Sequence, residues 1–177
     1  AGSYSVTITD SNSCTITKSY TITDPSSLLV TDTTKSVSCN GGANGVIYLT
    51  VSGGTPNNGV YGYLWNDSTT QEDRIGLQAG TYTVTISDGG NCGTIRSYVI
   101  NEPTVISPNA SLSNAKCLGS NDGSIVLSTT GGVGGYTYLW SNGTAVGIAN
   151  SLSPGSYSVT ITDSNSCTIT KSYTITE

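Results

Sequence analysis

The stretch GSYSVTITDSNSCTITKSYTIT at residues 2–23 recurs letter for letter at residues 155–176. A looser copy, GTYTVTISDGGNCGTIRSYVIN, occupies residues 80–101, at offsets of 78 and 75 residues from the other two. In this copy Tyr82 and Val84 alternate with threonines, which is typical of a strand with one buried face and one wet face. A chain that repeats itself at this spacing is predicted to be a tandem array, in which each repeat adopts the same fold.

Landmark residues divide the chain into repeats. They recur in register in the pairs Pro25 and Pro103, Cys39 and Cys117, and Trp65 and Trp140. We therefore predict a complete repeat at residues 25–102 (the first repeat) and another at residues 103–177 (the second repeat). Residues 1–24 are expected to be the C-terminal two strands of a preceding repeat, so that the chain is part of an extended array in a longer polypeptide.

The composition excludes several classes of function. Charged residues make up 10% of the chain and the formal net charge is −5, whereas soluble domains usually carry about 25% charged residues. Such a chain lacks the basic surface that nucleic acid or anionic lipid requires, and no stretch approaches the ~18 apolar residues of a membrane span. Without histidine, Ser-His-Asp and Cys-His catalysis are impossible. We predict that the chain is not an enzyme and needs no cofactor or metal.

Short alternating segments separated by turn-forming residues predict an all-β fold. The turns are marked by pairs such as Asn44-Gly45 and Asn142-Gly143. Two features narrow the prediction to tandem immunoglobulin-like β-sandwich repeats. One is a tryptophan on the third strand, and the other is the motif L-x-x-G-x-Y, in which the glycine permits a corner and the tyrosine bonds back to the corner backbone. The structural residues concerned are Trp65, Trp140, Gly80, Gly155, Tyr82 and Tyr157.

The cysteines recur at two equivalent places in the repeats. Cys14, Cys92 and Cys167 share one place, and Cys39 and Cys117 share the other. Because the chain has no histidine and no C-x-x-C motif, we interpret these residues as disulfide partners, with buried free thiols as the alternative. Disulfides form outside the reducing cytoplasm, so we expect an extracellular protein.

Two disulfide patterns fit the sequence. If each repeat has seven strands, A to G, that alternate in direction, Cys39 lies at the A–B turn and Cys92 at the F–G turn, at opposite poles and more than about 20 Å apart. A disulfide requires Cα atoms within about 7 Å, which favours a bond between adjacent repeats, Cys39–Cys167. The rival pattern, Cys39–Cys92 with Cys117–Cys167, applies if the short stretch after the tryptophan strand holds one strand fewer.

The conspicuous motifs of the first repeat are Cys39-Asn-Gly-Gly, Val51-Ser-Gly-Gly-Thr-Pro56, Tyr63-Leu-Trp65, Leu77 to Asp88, and Asn91-Cys92. Together they closely resemble the SprB-type repeat of the very large gliding-motility adhesins of Bacteroidetes. The second repeat matches at Gly131-Gly132 and from Leu152 to Asp163, but departs from the pattern at Cys117-Leu-Gly. The resemblance implies export by the type IX system, display on the cell surface, and a stalk or adhesive role, with neighbouring repeats of the same polypeptide as partners.

An array of carbohydrate-binding modules that bind surface polysaccharide is the alternative function. Aromatic side chains can stack on sugars, but Trp65 and Trp140 are expected to be buried in the sandwich core. Tyr48, Tyr61 and Tyr98, which we expect to be exposed, are therefore the better candidates for a sugar contact.

Acidic and hydroxyl side chains in the turns have mostly structural interpretations. The carboxylates at strand ends are expected to bond the turn backbone, and they are Asp10, Asp88 and Asp163. A calcium site made by Asn121-Asp122-Gly123 with Asp163 would lack the D-x-D-x-D spacing that such sites often have. Asp32-Thr33 and Asp67-Ser68 look like the Asp-Ser/Thr acceptor of Bacteroidetes, which makes Thr33 and Ser68 candidate O-glycosylation sites.

Overall fold

The computed structural model describes residues 1–90, 92–117 and 119–177, so Asn91 and Leu118 of the motifs above lie outside the described residues. The described residues form fourteen strands, and none of them belongs to a helix that could cross a membrane. In chain order the strands are β1 (Gly2–Thr9), β2 (Thr15–Ile22), β3 (Leu29–Lys35), β4 (Gly45–Ser52), β5 (Gly62–Trp65), β6 (Arg74–Leu77), β7 (Gly80–Ser87), β8 (Gly93–Ile100), β9 (Ser107–Ser113), β10 (Gly123–Thr130), β11 (Thr137–Trp140), β12 (Ile148–Leu152), β13 (Gly155–Thr162) and β14 (Thr168–Ile175).

The chain divides into two compact units. One unit comprises residues 1–33, 48–72 and 82–97, and the other comprises residues 34–47, 73–81 and 98–177. The whole second repeat belongs to the latter unit, as does the turn that carries Cys39. The three-part division drawn from the sequence remains a prediction.

The second repeat consists of two antiparallel three-stranded sheets. Their strand orders are β12–β10–β9 and β11–β13–β14, which correspond to strands E-B-A and C-F-G of an immunoglobulin-like sandwich. Both sheets contribute to one buried cluster that includes Ile125, Ala149, Trp140, Val159 and Ile161. The prediction of an all-β, immunoglobulin-like fold is confirmed.

Period-two alternation explains which side chains enter this core. On β13 the apolar Val159 and Ile161 are fully buried, whereas Thr160 between them points to the other face, where its hydroxyl lies 3.1 Å from that of Thr170 on β14. The first repeat has the same plan, with sheets in the orders β3–β4–β6 and β5–β7–β8. Side chains expected in its core are buried as well, namely Ile47, Trp65, Val84 and Ile86.

The expectation of seven strands per repeat is wrong by one. Residues 141–147 connect β11 directly to β12, because seven residues are too few for a further strand with a turn on each side. The register nevertheless places both β11 and β12 in the same direction: each runs from the end of the repeat near Thr162 towards the end near Gly123. The missing strand therefore does not bring the A–B turn and the F–G turn to the same pole.

Hydrogen bonds mark the two poles of the second repeat. At one pole the Ala115 amide, in the A–B turn, donates to the Thr176 carbonyl over 2.9 Å. At the other pole the Val133 amide donates to the Asp163 carboxylate over 2.9 Å, and Asp163 begins the F–G turn. The eight-residue strand β10 separates these poles by about 25 Å, which is too far for a bond between Cys117 and Cys167.

The hairpin β1–β2 has the same sequence as β13–β14 but a different environment. Val6 and Ile8 are 45% and 59% exposed, whereas the matching Val159 and Ile161 are both 0% exposed. The apolar side chains of the two hairpins alternate identically, so the difference lies in the sheet that covers β13–β14. This pair of hairpins therefore separates the effect of burial from the effect of sequence.

Replacing Ile161 by alanine is expected to lower the free energy of unfolding by about 2–5 kcal/mol, because the substitution leaves a cavity in a closed core. The matched control Ile8→Ala removes the same atoms from the same local sequence, yet should change that free energy by no more than about 0.5 kcal/mol. Urea denaturation followed by tryptophan fluorescence measures both. Equal losses in the two variants would contradict the assignment of the core.

Candidate functional site

A disulfide joins the turn after β3 to the turn before β14. Cys39 and Cys167 form this bond with their Cα atoms 5.6 Å apart, within the usual range. Of the described cysteines, Cys14, Cys92 and Cys117 are unpaired and exposed, so the structure contains the pairing between repeats rather than the rival pairing within repeats. The bond closes a loop with a sequence separation of 128 residues, which in the chain-entropy model disfavours the unfolded state by about 5 kcal/mol.

A buried carboxylate fixes the turn that presents Cys167. Asp163 is only 5% exposed, and its Oδ1 accepts hydrogen bonds from the amides of Asn165 and Cys167, each over 2.9 Å. Its Oδ2 accepts from the Val133 amide, also over 2.9 Å. The bond from Val133 is the main cause that holds the pKa of Asp163 below its usual value, helped by the bonds from Cys167 and Asn165 and opposed by burial. The carboxylate is thus a charged acceptor matched to three backbone donors.

The same turn recurs at Cys14 and Cys92, which occupy the place equivalent to Cys167 in their repeats. The Oδ1 of Asp88 accepts from the amides of Gly90 and Cys92, each over 2.9 Å, and its Oδ2 accepts from Thr55 over 2.8 Å. The bond from the Thr55 amide is the main cause that lowers the pKa of Asp88. Asp10 is exposed, and among the described residues its side chain accepts hydrogen bonds through Oδ1 alone, from the amides of Asn12 and Cys14. The predicted bonding of these carboxylates to turn backbone is confirmed.

Polar contacts that the sequence did not reveal surround the disulfide. The Asn40 side-chain amide donates to the Glu102 carboxylate over 3.2 Å and to the Pro103 carbonyl over 3.0 Å. The Asn165 side-chain amide donates to the Ser38 carbonyl over 3.0 Å. The repeat boundary at Glu102 and Pro103 is therefore hydrogen-bonded to the turn that carries Cys39, and so is the turn before β14. The signal that could have indicated these contacts is the acidic residue before the first proline of each repeat, as in Glu102-Pro103.

The tryptophans occupy core positions rather than the surface. Trp65 and Trp140 are each 2% exposed. The indole nitrogen of Trp65 donates to the Gln71 carbonyl over 2.8 Å, and that of Trp140 donates to the Val146 carbonyl over 3.0 Å. Their faces are consequently closed to a stacking sugar.

The L-x-x-G-x-Y corners lie where the motif places them. Gly80 and Gly155 begin β7 and β13. The Tyr157 hydroxyl donates to the Ser153 carbonyl over 3.0 Å, which closes the corner in the second repeat. Tyr82, at the matching place in the first repeat, is half-buried.

The candidate surface residues differ in their exposure. Thr33 on β3 and Ser68 in the turn after β5 are exposed, and their glycosylation remains a prediction. Tyr48 is 50% exposed, whereas the half-buried Tyr61 donates its hydroxyl to the Gly53 carbonyl over 2.8 Å. The expectation that Tyr98 is exposed is wrong: this residue is 8% exposed because the alternation of β8 turns it to the same face as buried Ile100.

The remaining acidic residues show no metal centre. Within the described ranges, no three side chains of the histidine, cysteine, aspartate or glutamate type are grouped to hold an ion. Asp122 instead accepts hydrogen bonds from the Ser120 hydroxyl over 2.6 Å and from the Lys116 amide over 3.1 Å. The bond from Ser120 is the main cause that lowers its pKa.

Replacing Asp163 by asparagine is expected to destabilise the chain at neutral pH, because an NH2 group would face the Val133 amide in place of Oδ2. The pKa of Asp163 is lowered in the folded state, so its stabilisation is present above about pH 4 and is lost as the pH falls further. The variant should therefore lose less stability on acidification than the parent. Urea denaturation between pH 2 and pH 7 measures this dependence.

The matched control is Asp10→Asn, which keeps the Oδ1 acceptor in the identical local sequence and, within the part of the chain that the structure describes, breaks no bond through Oδ2. It should be less destabilising than Asp163→Asn at neutral pH. If the two variants behaved alike, the Oδ2 bond to Val133 would have no role in stability.

Known proteins resemble this chain at the level of its repeats. The family model of the SprB repeat matches residues 31–70 and 109–145, which confirms the predicted resemblance in both repeats. No curated protein matches the chain. A solved structure described as "Crystal structure of Dpr11 IG1 bound to DIP-gamma IG+IG2" covers 87% of this chain and 98% of its own, at 13% identity and a TM-score of 0.35, a likeness too low to support an argument. The two SprB-repeat matches suggest that the chain is a repeat segment of a cell-surface adhesin.

Proposed function

We propose that this chain is a structural and adhesive segment of a very long cell-surface adhesin filament that serves gliding motility and surface attachment. The observation that carries the proposal is the pair of SprB-repeat matches at residues 31–70 and 109–145, together with a disulfide between the two repeats. A covalent bond between repeats supports a role in which successive repeats form one mechanically continuous filament. Export by the type IX system follows from the same resemblance.

Neighbouring repeats of the same polypeptide are the proposed partners. Cys14 and Cys92 occupy turns with the carboxylate bonding that presents Cys167, and Cys117 occupies the place of Cys39. Each of these exposed cysteines is thereby suited to a bond with a repeat before or after this segment. Such bonds require an oxidising compartment, which supports a location outside the cell.

A structural role is favoured over an enzymatic one. The SprB-repeat matches support a structural segment, whereas an immunoglobulin-like fold alone implies no function. The side chains with lowered pKa, Asp88, Asp122 and Asp163, all bind turn backbone, so none of them is poised as an acid or base. Structural use of such carboxylates explains their pKa values without catalysis.

Antibodies raised against this chain should label intact cells that carry the parent protein, because a surface filament is accessible without permeabilisation. Immunogold electron microscopy checks the location, and deletion of these repeats from the parent protein should reduce gliding and attachment on glass. A cytoplasmic protein provides the control for cell integrity. Labelling that appears only after permeabilisation would contradict the surface location.

An array of carbohydrate-binding modules is the second candidate, and one surface feature favours it. Exposed Tyr48 borders a shallow depression that is also lined by Thr31, Asp32, Thr33 and Thr50. An aromatic face beside hydroxyl and carboxylate groups suits a sugar ring.

If this depression binds sugars, the chain should bind a polysaccharide on a glycan array, and Tyr48→Ala should weaken that binding at least tenfold. Tyr20→Ala is the matched control, since Tyr20 is also exposed but belongs to the hairpin β1–β2. Equal binding by the parent and both variants would leave Tyr48 without a role in sugar recognition.

A further inference from the structure

We infer that the Cys39–Cys167 bond carries tension past most of the fold, so that the chain resists stretching without depending on the strength of its sandwiches. This inference deepens the proposed function, on which its role in a filament rests. The bond joins points that are 128 residues apart in sequence and 5.6 Å apart in space. A force applied to the two ends of the chain cannot separate the ends of this loop unless the covalent bond breaks.

The loop encloses most of the folded structure. Ten of the strands, β4 to β13, lie between Cys39 and Cys167. Both buried tryptophans are also enclosed, and so are the core residues Ile125 and Val159. Among the described strands, only β1, β2, β3 and β14 lie outside the loop. Unfolding of the enclosed strands would therefore add no length to a chain held at its ends.

The path that remains for the force consists largely of backbone that is already extended. It runs along β3, crosses the disulfide, and continues along β14 to the end of the chain. A strand rises about 3.3 Å per residue, and a fully extended chain reaches only about 3.3–3.6 Å per residue. These two strands consequently hold almost no slack that a load could draw out.

The load on β14 also acts along the strand, in the direction in which its ladder hydrogen bonds resist as a group. β14 pairs with β13 over eight residues, from Gly155 opposite Ile175 to Thr162 opposite Thr168. Ladder hydrogen bonds between antiparallel strands lie perpendicular to the strands. Because the force enters β14 at Cys167 and leaves at its far end, the strand is loaded along its own axis and is not peeled from its neighbour.

Hydrogen bonds around the disulfide hold the two loaded turns beside each other. Asp163 fixes the backbone at Cys167, and Asn165 bonds to Ser38 on the opposite side of the junction. Glu102 accepts from the Gly41 amide over 2.5 Å, so the turn after Cys39 is fixed as well. The bond therefore joins two turns whose backbones are already constrained.

Stretching single molecules of the full chain, held at both ends, tests this inference. Under non-reducing conditions the hairpin β1–β2 should unzip and release at most about 8 nm for residues 1–24, and no large unfolding step should follow. Adding a reductant at constant force should release about 45 nm more, the contour length of 128 residues. The reduced molecule should then unfold at forces that the oxidised molecule withstands.

Matched cysteine variants assign the effect to one bond. Cys39→Ser should behave like the reduced parent, whereas Cys92→Ser, which removes an unpaired cysteine, should behave like the oxidised parent. If Cys39→Ser does not fold, the reduction step on a tethered parent molecule still gives the answer. A release of about 45 nm before reduction, or no release after it, would overturn the inference.

The stretching experiment tests the load path independently of the surface labelling that tests the proposed function. Surface labelling without the expected extension behaviour would support the adhesin and refute the load path. The expected extension behaviour in a protein that labels only inside the cell would retain the load path and refute the adhesin.

Discussion

The separation of the A–B turn from the F–G turn by the full length of a strand is the constraint on which the rest of this structure depends. In the second repeat, hydrogen bonds place Ala115 at one pole and Asp163 at the other, with the eight residues of β10 between them. Cysteines in these two turns of one repeat are therefore too far apart to bond. In a repeat that carries a cysteine in each of these turns, the two cysteines cannot form a disulfide with each other. Each can form one only with a cysteine of another repeat.

The length of the disulfide loop has a consequence for any longer array. Cys39 and Cys117 are 78 residues apart, whereas the bond from Cys39 spans 128 residues, so Cys117 lies inside that loop. If Cys117 bonds to a following repeat in the same way, its loop begins before the first one ends. Overlapping loops would give tension a covalent route at every junction, and no sandwich would have to bear the load alone.

Much of this fold could be predicted from the sequence because its determinants are local. Alternation of apolar residues and threonines places Val159 and Ile161 on the buried face, and the corner motif closes through Tyr157. The short stretch after the tryptophan strand indicated one strand fewer only as an alternative, because the seven-strand expectation came from analogy with other sandwiches. The burial of Tyr98 could not be predicted because apolar residues occupy both faces of β8, including exposed Val99. The Asn40–Glu102 contact joins residues 62 positions apart, beyond the reach of any local pattern.

The two identical hairpins show which part of the junction is local and which part needs the folded repeat. In the uncovered hairpin, Asp10 accepts from the amides of Asn12 and Cys14 over 2.8 and 2.9 Å, as Asp163 does in the covered one. The local sequence D-S-N-S-C is therefore sufficient for the turn that presents the cysteine. The bond from Val133 to Oδ2 exists only where a second sheet is present. Presentation of the cysteine thus needs no covering sheet, whereas the bond from Val133 ties the turn to the rest of the repeat.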